Sequence, residues 1–268
     1  MSSISNGVKQ YCVSCVATHV YIGKTMDSKD IDVSVLGDGA SQIAEVTLKP
    51  GRKVIGAPGA MTFMDNGIKM KARLGDKSKG RGVARKLFST AKKAVTKSQL
   101  TVVHFENEAG VDQRVGFSSD LPGQLVEVDL SEWPEGIICQ RNSFILAQFG
   151  TMIDVKLVGV GAGSFGGSGF LYQSMKGDGV CVFSAGGSVV SKHIDNSSIV
   201  VETSSIAAYT ANLSYNVERT GDVGTMLLAK EGIFNSTLGG TGTVFIQSLA
   251  TQSLRRALQE VDVGDKKK

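Results

Sequence analysis

Ala44-Glu45-Val46-Thr47-Leu48-Lys49-Pro50-Gly51, then Val54-Ile55, then Gly56-Ala57-Pro58-Gly59-Ala60-Met61-Thr62-Phe63, fits three strands and two turns into a short stretch. Apolar and polar side chains alternate through residues 44–48, the two-residue period of a half-buried strand. Pro50-Gly51 and Pro58-Gly59 are turn dipeptides, with proline presetting φ and glycine supplying a positive one. The same order returns twice. Val126-Glu127-Val128-Asp129-Leu130 leads into Ile137-Ile138 and Ser143-Phe144-Ile145-Leu146-Ala147. Val190-Ser191-Lys192-His193-Ile194 leads into Ile199-Val200-Val201 and Ser205-Ile206-Ala207-Ala208-Tyr209. A second element, Gly177-Asp178-Gly179-Val180-Cys181-Val182-Phe183, is echoed by Gly240-Thr241-Gly242-Thr243-Val244-Phe245-Ile246. Three diverged copies of one β-module are the economical reading.

Beyond these copies, β-like runs at 13–22, 43–48, 125–130, 153–160, 180–184, 199–203 and 243–248 alternate with turn signals. Those signals are Lys49-Pro50-Gly51, Pro58-Gly59, Asp65-Asn66-Gly67, Leu121-Pro122-Gly123, Gly177-Asp178-Gly179 and Gly239-Gly240-Thr241-Gly242. The rhythm is that of an all-β sandwich or barrel. It predicts one domain over 1–262, with repeats at roughly 10–115, 116–185 and 186–248 and a frayed basic tail at 263–268. Two helices are expected. Val83, Leu87, Ala91 and Val95 step by four through 82–97, and Leu254, Ala257, Leu258 and Val261 make an amphipathic stripe through 249–261.

Composition narrows the class. The 268 residues are 41% hydrophobic and 20% charged, which excludes a disordered or collagen-like chain. Glycine is abundant at 33 and proline scarce at 4, favouring tight hairpins over long helices. No apolar run approaches the roughly 18–20 residues that a membrane-spanning helix needs. The first stretch, through Met26, has no acid and many hydroxyls but only Lys9 and Lys24, a weak match to a mitochondrial presequence. Cys12, Cys15, Cys139 and Cys181 are too sparse for a disulfide framework and read as core or strand thiols.

The quoted motifs resemble the altered-inheritance-of-mitochondria family, a three-repeat relative of the tryptophan-RNA-binding attenuation protein fold. Leu48-x-Pro50-Gly51 with Gly56-Ala57-Pro58-Gly59-Ala60-Met61-Thr62-Phe63-Met64-Asp65 is similar to the family's first-repeat signature. Leu121-Pro122-Gly123-x-x-Val126-x-Val128-Asp129-Leu130 continues it, and Gly240-Thr241-Gly242-Thr243-Val244-Phe245-Ile246-Gln247-Ser248 is similar to the closing strand. Thr241 stands where the family usually has proline, and Thr96-Lys97-Ser98 replaces its Gly-Glu-Ser. The resemblance implies a TRAP-like β fold and, in eukaryotes, a non-catalytic part in organising the mitochondrial inner membrane. It carries over no cofactor.

Charge segregation is the feature that a fold alone does not require. Residues 69–99 hold Lys69, Lys71, Arg73, Lys77, Lys79, Arg81, Arg85, Lys86, Lys92, Lys93 and Lys97 against the single acid Asp76. Eleven bases less one acid give +10 here, so the remainder of a chain of formal charge +4 carries −6. Lys77, Lys79, Arg81, Arg85, Lys86, Lys92 and Lys93 are therefore the candidate binding residues, for an anionic lipid surface touched peripherally by the helix. Lysines merely solvated on a core-packed helix are the plain alternative. Nucleic acid is disfavoured, because single-strand binders interleave aromatics and this stretch offers Phe88 alone.

Other motifs weaken on inspection. Gly161-Ala162-Gly163-Ser164-Phe165-Gly166 fits a dinucleotide fingerprint in letters, but more glycine and a further strand follow it rather than a helix. His19, His104 and His193 lack metal-ligand spacing, no nucleophile elbow occurs, and Trp133 sits in a turn where packing on the loop is its ordinary role. The expectation is a non-enzymatic scaffold with no metal or cofactor. Its partners would be itself, as a homo-oligomer, or a protein complex, in mitochondria. The alternative is a cytoplasmic β module binding a small ligand or RNA.

Overall fold

The structure, a computed structural model, describes residues 26–27, 31–39, 41–74, 101–158, 170–219, 234–250 and 254. Strands, numbered in chain order, form three antiparallel sheets. The first runs β1 (Met26–Asp27), β2 (Asp32–Leu36), β3 (Ile43–Leu48), β8 (Gln113–Ser118), β5 (Met61–Met64). The second runs β6 (Ile68–Leu74), β7 (Thr101–Asn107), β4 (Lys53–Gly56), β11 (Phe144–Gln148), β14 (Val180–Gly186), β9 (Gly123–Asp129). The third runs β12 (Met152–Val158), β13 (Phe170–Lys176), β10 (Ile137–Gln140), β16 (Ile206–Thr210), β18 (Phe234–Gln247), β15 (Val189–Glu202), with β17 (Ser214–Arg219) also on β18. The all-β class expected from the sequence is what the chain adopts.

Burial explains the stacking. In β3 only Ala44, Val46 and Leu48 are buried, as a strand with one covered face requires. Residues 144–147 of β11 and 180–185 of β14 are buried without alternation, so the second sheet is covered on both faces. Val54, Phe105, Leu146 and Val182 pack with Val33, Val46, Val115 and Phe117 of the first sheet. Ile55, Ala147, Cys181 and Phe183 face Ile137, Cys139, Met175 and Phe245 of the third. A third cluster, including Ile138, Tyr172, Tyr209, Leu213 and Leu238, fills the remaining face of the third sheet.

The opening turns form as their residues dictate. Arg52 N donates to Lys49 O at 3.0 Å with Gly51 at φ +74, and Ala60 N to Ala57 O at 3.2 Å with Gly59 at φ +86. Both are type II turns with proline then glycine at the centre. Gly123 is required for space instead: a Cβ there would stand 1.9 Å from Ala185 O.

Two expectations are corrected. Asp195-Asn196-Ser197-Ser198 does not separate two strands, and Gly239-Gly240-Thr241-Gly242 is not a chain-reversing turn. Both lie within strands of 14 residues, β15 and β18, paired along their length with a register shift between Ile194 and Ser197. Asn196 at φ 43 and Gly240 at φ 115 absorb a bulge there, which bends the pair without ending it. The 82–97 helix, the 13–22 strand, Cys12, Cys15, His19 and the 161–166 glycines lie outside the described residues. Of the 249–261 helix, Leu254 is helical and its N donates to Ala250 O at 3.1 Å.

Asn107 at the end of β7 pins two loops while fully buried. Its Nδ2 donates to Leu48 O at 2.7 Å and Val111 O at 2.8 Å, and its Oδ1 accepts from Ala109 N at 2.8 Å. Asn107→Ala leaves Leu48 O buried without this partner and strips Val111 O and Ala109 N of theirs in part-buried positions, costing about 2–4 kcal/mol, read as a lowered midpoint in urea. A loss below about 1 kcal/mol would mean that water takes over the three bonds.

Candidate functional site

Of the eleven basic residues in 69–99, the structure describes Lys69, Lys71 and Arg73, on the edge strand β6. Lys69 Nζ lies 3.1 Å from Glu108, and Lys71 Nζ lies 3.9 Å from Glu106 and 3.7 Å from Glu108. Lys53 Nζ is closer to Glu106, at 2.9 Å. Its hydrogen bond, with lesser help from the charges of Lys71 and Lys69, holds the Glu106 carboxyl below its ordinary range. These exposed pairs contribute little stability, but they offset much of the charge on β6. Lys77, Lys79, Arg81, Arg85, Lys86, Lys92 and Lys93 all lie outside the described residues, so the structure brings none of them together.

A hollow of about 310 Å³ opens where strand ends from all three sheets meet. The tight turn from β10 to β11 supplies Arg141 and Asn142, closed by Ser143 N donating to Gln140 O at 2.9 Å. Ser119 and Leu121 come from the β8–β9 loop, Leu171 and Tyr172 from β13, Ser184 from β14, Thr203 and Ser204 from the turn after β15, and Gln247 from β18. Two amides anchor that turn. Gln140 Nε2 donates to Ser204 O at 3.2 Å and Ile206 O at 2.7 Å, and Gln247 Nε2 to Ser204 O at 2.8 Å. Behind the hollow, the Tyr172 and Tyr215 hydroxyls meet at 3.0 Å and Ser236 Oγ donates to Tyr215 at 2.8 Å. Burial pushes both phenols up, so neither ionises near neutrality. Sequence reading missed this site, because its residues are dispersed through the chain and share no motif.

The remaining candidates are packing groups. Cys139 and Cys181 are free and buried between the second and third sheets, and burial raises the Cys139 thiol to about 12, far from a reactive thiolate. His193 Nδ1 sits 3.3 Å from Thr243 Oγ1, whereas Asp195 is engaged by Thr241 at 3.4 Å. Trp133 packs against the core, its ring 6.3 Å from that of Phe245. Among the described residues no group of His, Cys, Asp and Glu is placed to hold a metal, and no helix is long and apolar enough to cross a membrane.

Glu127 is the exception to this inertness. It pairs with Val182, on the face of β9 that looks to the first sheet, and its Oε1 is buried with no hydrogen bond among the described residues. Burial first, then the charges of Asp32 and Asp129, raises it from 4.5 to about 7. A raised folded-state value means that the stabilising proton is fully held below pH 4.5 and lost as pH rises through 7. The thermal midpoint should therefore fall between pH 4.5 and 7.5 by about 2–4 °C more than in Glu127→Gln, allowing for solvent screening, and that substitution should flatten the fall. Equal slopes in the two proteins would place the titration elsewhere.

Three stacked antiparallel sheets define an all-β protein, and comparison with known proteins refines that class. The family model described as mitochondrial biogenesis AIM24 matches residues 33–249, from β2 to just past β18. The chain belongs to that family. A crystal structure of a Streptococcus pyogenes protein superposes with a TM-score of 0.66 at 18% identity, covering 86% of this chain and 99% of that one. At that identity the likeness concerns the fold. No curated protein sequence matches.

Proposed function

We propose that the protein is a non-catalytic structural component of mitochondrial biogenesis, working at the surface of an anionic membrane. The observation that carries this reading is the segregation of +10 into residues 69–99 while the rest of the chain carries −6. Membership of the mitochondrial biogenesis family supports the setting, and the bacterial protein of the same fold shows that the architecture is not tied to mitochondria. In this reading the charge for acidic lipid headgroups comes from Arg85, Lys86, Lys92 and Lys93, and the four-residue spacing of Val83, Leu87, Ala91 and Val95 supplies an apolar stripe for the acyl boundary.

Self-association belongs to the same reading. β15 is the outermost strand of its sheet, and Val190 and Val200 are exposed on it at 47% and 62%. Descent of the domain from three copies of one module is consistent with β4 pairing β11 and β10 pairing β16, since each joins a second strand of one copy to a third strand of the next.

Each basic residue near an acidic membrane contributes about 1 kcal/mol. Replacing Arg85, Lys86, Lys92 and Lys93 with Glu should therefore weaken sedimentation with phosphatidylglycerol vesicles by at least 10²-fold. Raising salt should weaken the native protein in the same direction. Vesicle binding that survives the substitutions overturns the membrane role of this segment. Protease protection within isolated mitochondria, with release by carbonate, tests the location.

A further inference from the structure

We propose that the hollow at the β10–β11 turn binds a small oxyanion, a phosphate or carboxylate carried on a hydroxylated body. The hollow shares no residue with the basic segment, so either proposal can fail alone.

The free hydrogen-bonding capacity of the lining is mostly donor capacity. Arg141 is exposed at the rim, and no ion pair or hydrogen bond to it exists among the described residues. Among the described residues no hydrogen bond to the Asn142 carboxamide beside it exists. Ser119 Oγ accepts from Leu121 N at 3.2 Å, which leaves its own proton to give. One proton of Gln247 Nε2 is committed to Ser204 O, so the second is available. Among the described residues no Asp or Glu lines the hollow; Glu202, outside the lining, accepts at Oε2 from Ser204 Oγ at 2.6 Å and Ser205 Oγ at 3.1 Å. A lining that offers one guanidinium and several neutral donors, and no carboxylate among the described residues, is complementary to an oxyanion. The planar guanidinium suits such a group because it can donate two parallel hydrogen bonds.

Size and the opposite wall define the rest of the ligand. About 310 Å³ is at the small end for ligand pockets, which excludes a nucleic-acid strand or a folded partner from the interior. Leu121, Leu171 and the ring of Tyr172 give an apolar wall. Gln140, whose Nε2 is doubly committed, keeps its carbonyl to accept from a ligand hydroxyl. Tyr172 and Thr203 at 2% and 3% exposure are held by the buried hydroxyl chain, so the inner wall is preformed and needs no ordering on binding.

Isothermal titration of the full chain with glucose 6-phosphate, inorganic phosphate, citrate and glucose tests the proposal. Saturable binding of at least one of the three anions is expected, with none for glucose. Arg141→Gln should weaken that binding at least tenfold and Asn142→Ala several-fold, with thermal midpoints unchanged because both residues are exposed on a turn. Lys71→Gln, on the remote strand β6, should leave it unaltered. Phosphatidylglycerol vesicles that displace the bound anion through Arg141 identify the source as a lipid headgroup; vesicles without effect identify a soluble metabolite. Absence of saturable binding by all three anions overturns the site. So does affinity unchanged in both Arg141→Gln and Asn142→Ala, or a loss that Lys71→Gln reproduces.

Discussion

A sheet covered on both faces has no solvent side, and that constraint on β4, β11 and β14 organises the other two sheets. Successive residues there belong to different cores. Val54, Leu146 and Val182 face the first sheet, while Ile55, Ala147 and Cys181 face the third. A slip of one residue would exchange the two sets, putting Leu146 where Ala147 fits against the third sheet. Burial of each large side chain contributes about 1.5–3 kcal/mol, so registry is enforced by many contacts at once. The thiols follow from the same logic: Cys139 and Cys181 are small apolar fillers between the bulkier Phe144, Phe183 and Phe245.

Polar side chains finish what the apolar layers begin, and they do so at strand ends. Asn107 ties β7 to the loops that follow β3 and precede β8, and Gln140 and Gln247 hold the turn between β15 and β16. Gln42 caps the outer edge of the central sheet by accepting from Leu125 N at 2.7 Å. A buried polar network stabilises only when its members are satisfied; here Ser236 donates to Tyr215, whose hydroxyl meets that of Tyr172, and Thr203 beside Ser236 donates to Phe234 O. That network fixes one side of the hollow. The opposite side, Arg141 and Asn142 on an exposed turn, is free to adapt.

Local signals were legible where one residue type has one physical use. Pro50-Gly51 and Pro58-Gly59 form the expected turns, β3 has the expected bounds, and Trp133 packs as a turn aromatic does. Around Gly240 the turn signal and the structure differ because the same chemistry serves two structures. A residue tolerant of positive φ can reverse the chain or sit in a bulge, and only the partner strand decides. Here 239–242 lies opposite the break between Ile194 and Ser197, so the glycines serve a paired irregularity and not a chain reversal. The hollow was illegible for a different reason. Arg141, Ser119, Tyr172 and Gln247 become neighbours only when the three sheets stack, and sequence spacing carries no trace of that.

Edge strands show how the fold and the charge distribution meet. An exposed strand edge invites pairing with another chain unless charge, a bulge or a cap blunts it. β15 carries Lys192 and Asp195 on either side of buried Ile194, with the bulge at Asn196 interrupting the middle of its outer edge. Pairing along the full strand is thereby opposed, and the exposed apolar groups, Val190 and Val200, lie toward its two ends. β6 uses lysine and arginine instead, at 69, 71 and 73, with Glu106 of β7 and Glu108 just after it as counter-charges to Lys69 and Lys71. The basic run in the sequence continues past Arg73 to Lys97. The first three cations of the segment are therefore partly spent on protecting a sheet edge, and an electrostatic surface has to be built from the residues that follow them.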